Sequence, residues 1–156
     1  MVTIEVDSEF EDFDALLSLL HRTFNFMDGR INPPSSLHQL DADGLRQKSK
    51  DETLLLAKSG ELLVGCLFVR KQGDAVYLGK LAIDEDFRGK GLARQFIDVA
   101  TMIAGQWSCK KLEVETRVEL HENQAFFEHL GFEKIAENSH EGFDRPTSYL
   151  YQREVE

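Results

Sequence analysis

Glycines at 89 and 91, interleaved with Arg88 and Lys90, stand where a largely apolar run over 77–83 gives way to Leu92, Phe96, Val99 and Ile103 at helical spacing. The order is strand, tight turn, helix. With no Cβ at either glycine, the backbone can turn its N–H groups toward an oxyanion, and the helix adds the positive end of its dipole. A diphosphate fits such a cradle. Two common nucleotide loops are excluded by spacing: Gly-x-x-x-x-Gly-Lys-Ser/Thr does not occur, and the third glycine of the dinucleotide fingerprint is missing.

Candidates for acid–base work lie on a strand predicted over 111–118. Glu113, Glu115 and Arg117 project from one of its faces, and Leu112, Val114 and Thr116 from the other. Cys66 and Cys109 sit in apolar surroundings with no His or Cys at metal-ligand spacing, so they read as buried thiols rather than nucleophiles. His21, His38, His121, His129 and His140 form neither His-x-x-x-His nor His-Glu-x-x-His. No metal site is predicted.

The elements that must carry these groups fit one domain of 156 residues, long enough to enclose a core without disulfides or metal. With 42% hydrophobic and 29% charged residues, the composition is that of a globular protein. A net charge of −10, from 18 basic against 28 acidic residues, argues against a nucleic-acid partner and leans slightly toward an amine substrate. No stretch is long enough for a membrane span. The N-terminus lacks a basic then apolar leader pattern, so a cytoplasmic location is expected.

Alternation predicts a first strand over 2–6. Phe10, Phe13, Leu16, Leu17 and Leu20 then fall on one helical face, with Asp7 or Ser8 as the N-cap. Periodicity is lost over 23–49, a segment holding Pro33 and Pro34, and an irregular stretch of that length in a compact domain is functional or mobile. Three strands over 53–58, 62–71 and 75–84, joined by Gly60 and Gly73 turns, make an antiparallel meander. A helix over 90–107 then allows the next strand to run parallel to its predecessor. A short helix over 121–130 closed by Gly131, and strands over 132–138 and 147–153, complete the chain.

Arg88-x-x-Gly91-x-Ala93 resembles the Gln/Arg-x-x-Gly-x-Gly/Ala loop of the GNAT superfamily of acyl-CoA-dependent N-acetyltransferases, and Leu81-Ala-Ile-Asp84 resembles the strand before it. Asn123-Gln-Ala-Phe-Phe-Glu-His-Leu-Gly-Phe132 is similar to that family's short helix and Leu-Gly-Phe turn, in the expected order and spacing. The resemblance is good over about residues 53 to 153 and looser before them. The distinctive 27–38 stretch and the distal Gly142-Phe-Asp-Arg-Pro-Thr147 suggest a bacterial branch.

The resemblance implies an α/β fold: a single GNAT-like domain with a mixed, mainly antiparallel central sheet, splayed strands and helices on both faces. The pantetheine arm of acetyl-CoA would lie in the splay beside Leu81, Ala82 and Ile83. The N–H of Leu81 or Ile83 would face the thioester oxygen, and Arg88, Gly89, Lys90, Gly91, Leu92 and Ala93 would hold the diphosphate. Phe127 occupies the place where many members carry a tyrosine as general acid, so it can pack on the arm but cannot give a proton. Asn123 is carried as a cofactor contact.

Glu115, nearest the expected splay, is the first choice of base, with Glu119 second and a water chain as the alternative. The acceptor pocket is expected between 27–38 and 139–146, with Arg30, Ser35, Ser36, His38, Asp144 and Arg145 as contacts. Two arginines among them suggest an acceptor with a carboxylate or phosphate. The expected activity is acetyl transfer from acetyl-CoA to the amine of a small molecule or amino-acid-like acceptor by direct attack. The alternatives are acetylation of a protein N-terminus or lysine, and a CoA-binding sensor without turnover. The resemblance also allows a homodimer.

Overall fold

The computed structural model describes residues 2–155. Its elements are β1 (Val2–Val6), α1 (Phe13–Phe24), α2 (Ala42–Asp51), β2 (Thr53–Ser59), β3 (Leu62–Gln72), β4 (Ala75–Ile83), α3 (Leu92–Gln106), β5 (Lys111–Arg117), α4 (His121–His129), β6 (Glu133–Asn138) and β7 (Ser148–Glu154). One seven-stranded sheet runs in the order β1-β2-β3-β4-β5-β7-β6. Its neighbours pair antiparallel except β4 and β5, which α3 joins as a parallel pair. The expected mixed, mainly antiparallel α/β sheet is what forms. No described helix is long and apolar enough to cross a membrane.

Strand alternation divides the core between the two faces of the sheet. On one face Leu16, Leu19 and Leu20 of α1 and Leu45 of α2 meet Leu54, Leu56, Cys66, Phe68 and Ala82. On the other, Phe96, Ile97, Ala100 and Ile103 of α3, with Phe127 of α4, meet Leu55, Leu67, Val76, Leu78, Leu112 and Val114. Both cysteines are free and buried.

Two N-terminal expectations are corrected. The cap of α1 is Asp12, which accepts the Ala15 N–H, while Asp7 closes a local turn on the Glu9 N–H. Phe10 lies outside the helix and packs edge-on against Phe13 at 5.2 Å. Residues 42–51, expected to be irregular, form α2. This helix buries a single residue, Leu45, so it has no apolar stripe to read, and it is held instead by the Asp41 cap and the Lys48–Glu52 pair at 2.6 Å.

Two local features of β4 shape the site. Its ladder with β5 ends at Leu78 opposite Val114, although both strands continue. Against β3, Gly79 pairs with Phe68 and Ala82 with Cys66, so Lys80 and Leu81 together stand opposite the one residue Leu67. This is a β-bulge, and Lys80 takes a positive φ of 53° within it.

Candidate active site

The glycine turn before α3 forms where the sequence predicts it. Gly89 and Gly91 adopt φ of +75° and +79°, Gly91 is the N-cap of α3, and a Cβ at either would meet nothing within 4 Å. N–H groups from Gly89 to Arg94 find no acceptor among the described residues, whereas the Gln95 N–H begins the helix by donating to the Gly91 carbonyl. Leu92 turns its side chain into the core, so only its backbone faces the cradle. Arg88 is exposed, and its Nε donates to the Ile83 carbonyl at 3.1 Å, fastening the loop to the end of β4.

From this cradle a cavity of about 1110 Å³ runs into the gap between β4 and β5. The Asp84 N–H donates to Val64 on β3, so alternation turns the backbone groups of Leu81 and Ile83 toward the side that β5 has left. Leu81, Ala82, Ile83, Arg88 and Ala93 line the cavity on one side, and Val114, Thr116, Asn123, Phe126 and Phe127 on the other. Phe127 is 6% exposed and meets Phe126 and Phe132 edge-on at 5.2 and 5.4 Å. The residues present fit an extended arm with a diphosphate at one end: orphaned N–H groups in the cradle, open space at both glycines, and an unpaired strand edge.

Past the gap the cavity continues as a chamber on the α1–α2 face. The stretch after α1 roofs it with Phe24, Phe26, Met27, Ile31, Pro33 and Pro34. Four hydrogen bonds from three residues pin that roof to the far side. Arg117 donates to the carbonyls of Pro33 and Pro34 at 2.5 and 3.2 Å, Arg145 donates to the Asn32 carbonyl at 3.0 Å, and the Asn32 N–H donates to Glu119 at 3.2 Å. Burial pulls the Arg117 pKa below its ordinary value, while Glu119 and Glu115 work the other way.

Glu115 projects into this chamber from β5. Its Oε2 accepts the Ser148 hydroxyl at 2.9 Å, and Asn138 Nδ2 and the Tyr77 hydroxyl stand at 3.5 Å from its carboxylate, the outer limit of a hydrogen bond. Arg117, its neighbour on the strand face, is spent on the roof carbonyls, which leaves Glu115 without an ion pair among the described residues. Burial, and then the Glu115 charge, push the Tyr77 phenol up to about 12. His140 lines the same chamber, with Nδ1 held by the Thr147 hydroxyl, and burial lowers its pKa, followed by the repulsion of Arg117.

Sequence reasoning brings Glu115, Ser35 and Ser36 into the chamber. Ser35 also caps the 3-10 turn Ser36–Gln39 by accepting the Leu37 N–H. The other expected acceptor contacts lie elsewhere. Arg30 pairs with Glu122 at 2.8 Å, His38 pairs with Asp28 at 2.7 Å, Arg145 holds the roof, and Asp144 is exposed; none of the four lines the cavity. Glu119, the second choice of base, holds Asn32 and does not line it either. The expected splay of β4 and β5, and the meeting of the two loops, both occur.

Sequence reasoning missed Tyr77, Lys80, His140 and Ser148. Tyr77 was legible, because the parallel register sets it beside Glu113, one strand away and on the face that carries Glu115. Lys80 was not, because it enters the chamber through the bulge. Tyr149 lies under the Lys134 ammonium at 3.9 Å and Tyr151 donates to Glu128 at 3.1 Å, so of the chain's three tyrosines Tyr77 alone lines the cavity. Among the described residues no group of His, Cys, Asp and Glu is placed to hold a metal ion.

An N–H-rich turn before α3 and a strand pair that parts just above it are the geometry of the acetyltransferase fold, and the sequence profile of the Acetyltransferase (GNAT) family matches residues 13–132. The chain belongs to the GNAT family. Solved GNAT structures superpose over nearly their whole length. An acetyltransferase of GNAT family from Staphylococcus aureus Mu50 gives a TM-score of 0.76 at 16% identity, covering 100% of each chain. A probable acetyltransferase from Staphylococcus epidermidis gives 0.78 at 15% identity, again covering 100% of each. The PaiA N-acetyltransferase of Thermoplasma acidophilum, solved in complex with coenzyme A, gives 0.78 at 13% identity, covering 99% of each. At such identities the likeness is one of fold. No curated protein sequence matches the chain.

Proposed function

We propose that this GNAT protein transfers an acetyl group from acetyl-CoA to the amine of a small-molecule or amino-acid-like acceptor by direct attack. One observation carries the reading. The β4–β5 ladder stops at Leu78 and Val114, and a cavity passes through the opening from an N–H-lined turn to a roofed chamber containing Glu115, a carboxylate with no ion-pair partner among the described residues.

The N–H groups of residues 89–94, the α3 dipole and the side chains of Arg88 and Lys90 hold the diphosphate. When bound, acetyl-CoA supplies a thioester activated for transfer. The Leu81 N–H, on the strand edge left open by the splay, donates to the thioester oxygen as charge develops there, with the Ile83 N–H as its neighbour on the same edge. Phe127 and Asn123 flank the arm from α4, and Ala82 from β4. Glu115, fixed by Ser148, attracts the acceptor's ammonium and takes its proton directly or through a water. A phenyl group at 127 has no proton to give, so a departing CoA thiolate would take its proton from water or leave as the anion.

The pinned roof supports a small acceptor over a protein terminus or lysine, which needs an open groove. Ser35 and Ser36 are the acceptor contacts retained from the sequence. Incubation with acetyl-CoA and a panel of amines, read by free-thiol release and the mass of the acetylated amine, tests the reading. Acetylated product in step with thiol is expected. CoA binding without thiol release above hydrolysis for every amine would instead mark a sensor domain.

A further inference from the structure

Lys80 is a cation of the chamber to which the transfer chemistry gives no task. It stands on the bulge of β4, immediately before Leu81, in a left-handed conformation that costs a residue with a side chain about 1–3 kcal/mol. It is partly buried and lines the chamber, yet no carboxylate lies within ion-pair distance of it among the described residues. Glu52, the nearest candidate, is engaged by Lys48 at 2.6 Å and by Arg70 at 3.9 Å. Burial lowers the Lys80 pKa and the Lys48 charge adds to the effect, while the charge of Glu52 opposes both from beyond ion-pair distance.

The chamber's other cation on this face, Arg117, spends its guanidinium on Pro33 and Pro34. The chamber is also lined by Glu115, by Glu122, which pairs with Arg30, and, from the β6–β7 loop, by Glu141. It therefore offers a cation on the β4 bulge together with carboxylates on β5 and the loop. A ligand bearing both an ammonium and an anion can meet both signs of charge. An amine without the anion leaves Lys80 without an ion-pair partner.

We propose that Lys80 is a specificity residue that receives an anionic group, a carboxylate or phosphate, of the acceptor, so that the preferred acceptors are amines carrying such a group. The proposal rests on the acetyltransferase reading for the identity of the amine as acceptor, but its charge recognition is measurable without turnover. The expectation of an anionic acceptor drawn from Arg30 and Arg145 thus passes to a different residue, since the structure commits both arginines elsewhere.

Matched pairs decide it: phenylalanine against phenethylamine, and phosphoethanolamine against ethanolamine, on the parent protein, Lys80→Met and Lys80→Arg. Ligand-induced thermal shift and calorimetry in the presence of CoA read binding, and kcat/KM reads turnover. The parent is expected to favour the anionic member of at least one pair by about tenfold or more, in keeping with a charge-assisted contact. The pair preferred identifies the anion. Lys80→Met should erase that preference and leave CoA affinity unchanged, and Lys80→Arg should keep most of it. Because the Lys80 ammonium is desolvated and faces Lys48, Lys80→Met should not lower the melting temperature, which separates lost recognition from lost folding. Equal binding of both members of each pair by the parent, including no binding of either, overturns the proposal, as does a preference unchanged in Lys80→Met. A binding preference that Lys80→Met erases, without acetylated product from any amine, would sink the acetyltransferase reading and leave the role of Lys80 standing.

Discussion

Gly91 offers the sharpest separation of backbone strain from ligand charge, because a Cβ there meets nothing within 4 Å while the backbone is left-handed at φ +79°. Gly91→Ala therefore adds no clash, only the conformational cost of an L residue, about 1–2 kcal/mol. For a domain of this size that lowers the melting temperature by roughly 2–8 °C. Gly91→Glu carries the same strain and sets a carboxylate in the mouth of the cradle. If it stands about 6 Å from each of two diphosphate charges, each repulsion is worth about 0.7 kcal/mol in water and about 2.8 kcal/mol at the effective dielectric of a protein surface. Summed, about 1.4–5.5 kcal/mol is lost, a weakening of tenfold at the least. Calorimetry with CoA at low salt should thus give a Gly91→Ala affinity within a few-fold of the parent and a Gly91→Glu affinity at least tenfold weaker. The gap between the two should shrink as salt rises, because the Debye length falls to about 3 Å at 1 M. Equal CoA affinity in the two variants would place the diphosphate elsewhere.

Phe127→Ala should destabilise the protein by about 3–5 kcal/mol and weaken CoA binding, because the ring is buried against Phe126 and Phe132 and lines the cavity. Phe127→Tyr should fold normally with equal or higher kcat; denaturant midpoints and steady-state rates check both, and a Tyr variant unable to bind CoA would count against that placement. Glu115→Gln preserves the Ser148 contact while removing the base, so turnover should fall most near neutral pH and recover under alkaline conditions that deprotonate the amine. An unchanged pH–rate profile would show that Glu115 is structural. Hydrogen bonding from Arg22, at 2.8 Å, holds the Asp84 carboxyl below its ordinary 3.8. The folded state then binds fewer protons than the unfolded one in that range, so this stabilisation is present above pH 3.8 and is lost as pH falls through the lowered value. Asp84→Asn should flatten the acid limb of the melting temperature against pH, and parallel curves for parent and variant would contradict the assignment.

The sheet was legible because its strands carry their own signals: apolar runs, turn glycines at 60 and 73, and a helix long enough for a parallel crossover. The Gly89–Ala93 turn was legible for the same reason, since glycine there answers a backbone requirement rather than a packing one. α2 was hidden because a helix buried through Leu45 alone shows no periodicity, although Asp41 ahead of Arg46, Gln47 and Lys48 was a usable cue. The bulge was hidden more deeply. An extra residue opposite Leu67 inverts the alternation beyond Gly79, and nothing in Leu78-Gly-Lys-Leu-Ala82 tells a pleat from a pleat with an insertion. Arg30 and Arg145 were read as ligand contacts because sequence shows charge without partners. The fold supplies the partners, Glu122 for one and the Asn32 carbonyl for the other.

A crystal structure of the CoA complex decides whether the β4–β5 gap is the cofactor site. The diphosphate is expected on the N–H groups of residues 89–94, with the pantetheine amides paired to the open edge of β4 at Leu81 and Ile83. The thiol is expected in the β4–β5 gap, facing the chamber that holds Glu115. CoA bound outside that gap, or β4 and β5 paired beyond Leu78 and Val114 with the ligand present, would contradict that placement.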